Sequence, residues 1–138
     1  MLQRMQTIWL LLAAVFSFLT LRFPVYNGNK IANGISEYNM LSATSNLFLI
    51  ILAVATGLVA FISIFLYKNR GMQQKLCFIG LVLCIISGWL YYMQIKTFVQ
   101  GAFNLSSAFY FLIPLCFILA MRGIYKDQKL VKSIDRLR

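Results

Sequence analysis

The 138-residue sequence predicts an all-α membrane protein: an antiparallel bundle of four transmembrane helices followed by a short basic amphipathic C-terminal helix. Three observations predict it. Hydrophobic residues make up 61% of the chain and charged residues 12%, against roughly 45–50% and about 25% in soluble domains. A chain this small has too little interior to hide so much apolar surface from water. The apolar residues also fall into long runs, and the bases cluster beside those runs.

The first span is read from about residue 2 to 23, in LQRMQTIWLLLAAVFSFLTLRF, and ends at Pro24. Its apolar stretch is near the length of a signal-peptide core, but no small-residue cleavage site follows it. Arg4 and Arg22 lie roughly 27 Å apart along a helix, so both side chains can snorkel to opposite interfaces. A retained helix is therefore expected. The second, third and fourth spans are expected at about 46–67, 76–95 and 103–121, and no charged residue interrupts them. About 20 residues at about 1.5 Å each cross a hydrocarbon core of about 30 Å, and backbone satisfaction in lipid then requires helix. Together they make a bundle over residues 1–121, with an outer loop at 24–45 and a polar tail at 122–138.

Charge orients the spans. Arg4, Lys68, Arg70, Lys75, Arg122, Lys126, Lys129, Lys132, Arg136 and Arg138 fall on one side, and only Arg22, Lys30 and Lys96 on the other. The positive-inside rule makes the first side cytoplasmic, with both termini inside. Trp9, Tyr67 and Tyr125 are expected as aromatic anchors at the inner interface, and Tyr26, Trp89, Tyr91 and Tyr92 at the outer one. The short connections, about eight residues between spans two and three, make consecutive helices antiparallel neighbours.

The net charge of +10 would suggest nucleic acid in a soluble domain. Beside apolar runs it suggests anionic headgroups, so the lipid bilayer is the expected partner and nucleic acid is not. The chain has no histidine, and its only acids are Glu37, Asp127 and Asp135. That removes the common zinc and haem ligand and the usual general base. Glu37 lies across the membrane from both aspartates, which leaves no carboxylate pair for hydrolysis. Cys77, Cys84 and Cys116 sit in or at the edge of apolar runs without a C-x-x-C pair, as small hydrophobes do. No catalytic, cofactor-binding or metal-binding residue is expected, and the chain does not read as an enzyme.

Gly80, Cys84 and Gly88 recur every four residues and share a face of the third span. Ala53 and Gly57 form a shorter counterpart on the second. Small-xxx-small faces let helix backbones approach in lipid, so these five residues form a candidate helix-packing interface, within the bundle or with a partner. Pro114 breaks one backbone hydrogen bond within the fourth span. Asn27-Gly28 and Asn33-Gly34 are turn dipeptides that suit a small hairpin or two consecutive turns in the outer loop, and Ser42, Thr44 or Ser45 could cap the second span. In the tail, Leu130, Ile134 and Leu137 recur at helical spacing among Lys129, Lys132, Ser133 and Arg136.

The head element at Gln3, Arg4, Gln6 and Thr7 carries a resemblance to a known family. So does the tail element at Lys126, Asp127, Leu130, Val131, Ser133, Asp135, Arg136, Leu137 and Arg138. Together they resemble an uncharacterised family of small four-span integral membrane proteins of Bacteroidota, catalogued as a domain of unknown function. The resemblance implies a Gram-negative inner-membrane protein with its first span retained, and it carries over no activity. Both elements fall on the cytoplasmic side by charge. Gln3, Arg4, Gln6, Lys126, Lys129, Lys132, Asp135, Arg136 and Arg138 are therefore a candidate cytoplasmic interaction surface. The expected role is a non-enzymatic accessory or assembly subunit that binds another membrane protein or itself; the alternative is a small oligomeric transporter or channel component.

Overall fold

A computed structural model describes residues 2–32 and 34–135. Helix α1 spans Leu2–Arg22, α2 Leu47–Phe65, α3 Arg70–Ile95 and α4 Ser107–Asp135. All four are long and apolar enough to cross a membrane. Three strands accompany them: β1 (Tyr26–Ala32), β2 (Ile35–Leu41) and β3 (Gln100–Phe103). The chain is thus mostly helical with a small sheet, which corrects the all-α expectation.

Residues in contact run in opposite order along neighbouring helices. On α3 and α4, Gly80 meets Phe117 and Gly88 meets Tyr110; on α1 and α4, Phe16 stacks on Phe109 while Gln6 meets Gly123. Helix α1 lies between α2 and α4, and α3 closes against the same two neighbours. Between them Leu10, Ala13, Ala60, Cys77, Phe117, Ala120 and Ile124 are buried. The outward faces carry Leu11, Val15, Phe61, Phe65, Ile85 and Phe111, all exposed in the isolated chain. Large apolar side chains pointing outward all around are what lipid, as solvent, calls for.

Hydroxyls inside the helices are satisfied by carbonyls. Thr56 donates to the Leu52 carbonyl at 2.7 Å and Ser63 to the Val59 carbonyl at 2.7 Å. Such back-bonding is the local solution for a hydroxyl that cannot reach water. Others tie helices together: Ser17 Oγ donates to the Ala53 carbonyl at 2.6 Å, and Gln73 Nε2 to the Ser63 carbonyl at 3.0 Å.

The segment expected as a solvated outer loop is the hairpin β1–β2. The strands pair antiparallel from Tyr26↔Leu41 to Ala32↔Ile35, and β3 joins the other edge of β1. The turn between Ala32 and Ile35 holds Gly34 at φ 79°, a conformation that costs other residues about 1–2 kcal/mol. Asn27-Gly28, the other turn candidate, lies in mid-strand. Gly28 there faces Gly101 on β3, and a Cβ on Gly28 would come within 2.8 Å of the Gly101 Cα. The sheet root packs on the helix ends: Val25, Tyr26, Leu41 and Ala43 are buried with Leu49 and Tyr91. Ser106 Oγ pins the β3–α4 connection to the Pro24 carbonyl at 2.5 Å.

Several expected boundaries shift. Strand β3 takes Phe103, so the fourth helix begins at Ser107 rather than 103. The stretch KNRGMQQK, expected as a loop, is mostly the first two turns of α3; only residues 66–69 link it to α2. The cap of α2 is Asn46, whose side chain accepts from the Phe48 N–H at 3.3 Å, and not Ser42, Thr44 or Ser45. Tyr26 and Tyr91, expected as interfacial anchors, are buried, whereas Tyr67, Trp89, Tyr92 and Tyr125 are exposed. Aromatic packing decides this: Tyr26 sits edge-on to Phe98 and Phe103, and Tyr91 edge-on to Tyr110.

Candidate functional site

The small-residue stripe faces inward in this chain. A Cβ on Gly80 would stand 2.5 Å from the Phe117 ring, and one on Gly88 would stand 2.9 Å from the Tyr110 hydroxyl. Cys84 between them is buried. The glycines are the hollows into which α4 rings fit. On α2, Gly57 takes the Phe18 ring at 3.0 Å, and the Ala53 carbonyl accepts from Ser17. All five residues therefore serve contacts within the chain.

The same stripe leads to a polar knot that sequence reasoning did not assemble. Tyr110 donates its hydroxyl to the Cys84 carbonyl at 2.6 Å, Ser87 Oγ donates to that carbonyl at 2.9 Å, and the two hydroxyls lie 3.0 Å apart. Ser17, Thr20, Thr56 and Tyr91 surround a cavity of about 10 Å³ beside it, space for about one water. The serines and threonines were visible individually. Their convergence was not, because it depends on which faces of four helices meet.

At the other end of the helices lie the start of α1, the α2–α3 link and the last turns of α4; we call this the terminal face. Here the fourth span and the basic tail helix are one element, α4, which runs unbroken to Asp135. The buried face Ile113, Phe117, Ala120, Ile124 continues without a break to Asp127. Arg70 Nη1 donates to the Asp127 carbonyl at 2.9 Å, which clamps this extension to the start of α3. Gly123 completes the contact, since a Cβ there would stand 2.7 Å from Gln6 Cγ. The signal for this was present in the sequence: the helical period of the inward positions runs on through Ile124 and Asp127.

Of the residues expected on the interaction surface, Lys126, Lys129 and Lys132 are exposed on α4. Gln6 is not on the surface; it is 6% exposed, packed against Gly123, and its Nε2 has no hydrogen-bond partner. Its place on the inner face of α1, one turn before the buried Leu10, is the reason. Gln3, Arg4 and Asp135 belong to the backbone of α1 and α4, and Arg136 and Arg138 lie outside the described residues. Leu130 and Val131, expected on an apolar tail face, are both exposed. Cys77, Cys84 and Cys116 are buried free thiols. Among the described residues no three His, Cys, Asp or Glu side chains group as a metal site would require.

Four helices long and apolar enough to cross a membrane, a three-stranded sheet at one end and a basic helical extension at the other are the architecture of a small membrane protein. Residues 2–137 match the family described as a domain of unknown function (DUF4293), and the chain belongs to that family. No curated protein and no solved structure matches it.

Proposed function

We propose that this chain is a multi-pass protein of the bacterial inner membrane, an antiparallel four-helix bundle with its terminal face in the cytoplasm. On this reading it is a non-enzymatic accessory or assembly subunit that docks another membrane protein. The observation that carries the reading is the clamped extension of α4. Twenty-nine residues make about 44 Å of helix, so roughly 14 Å stands beyond a hydrocarbon core of about 30 Å. Fixed by the Arg70–Asp127 hydrogen bond, it offers Lys126, Lys129, Leu130 and Ser133 outward without the ordering cost a flexible tail would bring to binding.

The orientation rests on charge: among the described residues eight bases belong to the terminal face and three to the sheet face. The non-enzymatic role rests on the chemistry of the chain, which has no histidine and three acids in all. A transport role is the weaker reading, because the hydroxyl-lined cavity of about 10 Å³ has room for about one water.

The test is purification of the full chain from native membranes in a mild detergent, with co-purifying proteins identified by mass spectrometry. A stoichiometric membrane-protein partner is expected, reduced at least fivefold by the triple substitution Lys126→Ala, Lys129→Ala, Leu130→Ala. Recovery of the chain alone, or of a partner that ignores the substitution, contradicts the proposal.

A further inference from the structure

Two hollows on the terminal face meet at Gln128. One, of about 580 Å³, lies between the α2–α3 link and the α4 extension and is lined by Tyr67, Lys68, Arg70, Gln128, Val131 and Lys132. The other, of about 560 Å³, runs along α3 and α4 beside Lys75, Phe78, Ile79 and Met121. The first is basic and the second mainly apolar. Among the described residues, no acidic side chain lines either one.

We propose that these two hollows, which share Gln128 in their walls, together form a discrete binding groove for one anionic phospholipid. Its phosphate sits among Lys68, Arg70 and Lys132, and an acyl chain follows Phe78, Ile79 and Met121 toward the membrane interior.

The polarity of the groove changes along the direction in which a lipid's does. From Gly71 to Ile79 it descends about 12 Å along α3, most of the depth of one leaflet's hydrocarbon. Phe78 and Ile79 belong to the membrane-length part of that helix and are exposed to whatever fills the groove. The cations stand at its mouth, where a headgroup would lie. Arg70 is not free to swing away, because its Nη1 is anchored on the Asp127 carbonyl at 2.9 Å. A guanidinium carries five donors in a fixed fork, so one anchored nitrogen leaves others for phosphate oxygens. Lys68 and Lys132 supply flexible charge from opposite walls.

Gly71 lines the apolar half of the groove. A Cβ there would meet nothing closer than Asn69 Oδ1 at 3.9 Å, so a larger side chain fills the groove without striking the fold. The lipid site uses the Gln128–Lys132 side of α4. Lys126, proposed above for partner docking, lines neither hollow, whereas Lys129 and Ser133 share a smaller hollow with Gln128 and Lys132; the assay below contains no partner.

The experiment is native mass spectrometry of the full chain released from nanodiscs of phosphatidylcholine and phosphatidylglycerol in equal amounts. One phosphatidylglycerol per chain is expected, retained at least fivefold over phosphatidylcholine. Lys68→Gln with Lys132→Gln should abolish the preference, and Gly71→Leu should reduce phosphatidylglycerol retention at least threefold although it leaves every charge in place. Arg122→Gln, at an exposed cation of α4 that lines none of these hollows, should leave both unchanged. Equal retention of the two lipids overturns the proposal. So does a Gly71→Leu variant that retains phosphatidylglycerol in full, or an equal loss in Arg122→Gln, since either describes charge attraction without a groove. Displacement by millimolar inorganic phosphate alone would assign the cations to a soluble anion and overturn it too. Should the double lysine variant fail to fold, Gly71→Leu and the phosphate competition still decide.

Discussion

Gly80 shows how little room the helices leave one another. A methyl group there would stand 2.5 Å from the Phe117 ring, closer than real Cβ contacts come. Lipid offers no hydrophobic drive between helices, so such close fits, with interhelical hydrogen bonds, hold them together. Gly80→Leu is therefore expected to destabilise the protein by about 1–3 kcal/mol through overpacking. Phe117→Ala in the same chain should recover part of that loss, and a melting series in detergent on the four chains of the cycle reads both. Gln6 behaves in the opposite sense. Its Nε2 is buried without a partner, which costs about 1–3 kcal/mol of desolvation. Gln6→Met keeps the length and removes the unpaired group, so the variant should melt no lower than the parent. A clear loss of stability would show that Gln6 is held by a contact its burial does not disclose. At this scale the sequence was only partly legible. The small-residue stripe could be read from its four-residue spacing, whereas the buried side of Gln6 could not, because a polar residue near a chain end reads as solvated.

The helices were legible as elements because the membrane imposes its own ruler. A charge-free apolar run of about 20 residues has one stable backbone arrangement in lipid. The polar elements had no such ruler. KNRGMQQK reads as a loop by composition, yet from Arg70 on it is the start of α3. The strand YNGNKIA carries a turn dipeptide in its middle, and nothing local tells Asn27-Gly28 from Asn33-Gly34. The choice is made by β3, some seventy residues away, which pairs with β1 through Gly28↔Gly101. Register set by so distant a strand is invisible to short-range pattern. The glycine pair is needed because the strands approach too closely for a side chain there. Gly28→Val should separate β3 from β1 while the Asn33-Gly34 hairpin persists. Hydrogen exchange is the measurement: the amides of Val99 and Asn104, which donate to Asn29 and Val25 carbonyls at 3.0 and 3.1 Å, should lose protection, and the pairing of β1 with β2 should keep its own. Protection unchanged at both amides would contradict the assignment of Gly28.

As a whole the molecule has two unlike ends. The sheet end is rooted on Tyr26, Leu41 and Tyr91 and projects Ile31, Ile35, Tyr38 and Met40 outward. The terminal end carries the clamped basic extension, to which both the docking and the lipid proposals belong. Their common premise is that this end faces the cytoplasm, where the positive-inside rule puts ten of thirteen bases. Impermeant maleimide labelling of intact spheroplasts tests that premise most directly, because Cys77, Cys84 and Cys116 are buried and give little background. Cysteines are placed one at a time as Glu37→Cys in β2 and Lys129→Cys in α4. The account predicts that Glu37→Cys is labelled at once and Lys129→Cys only after the membrane is disrupted. Immediate labelling of Lys129→Cys would contradict it.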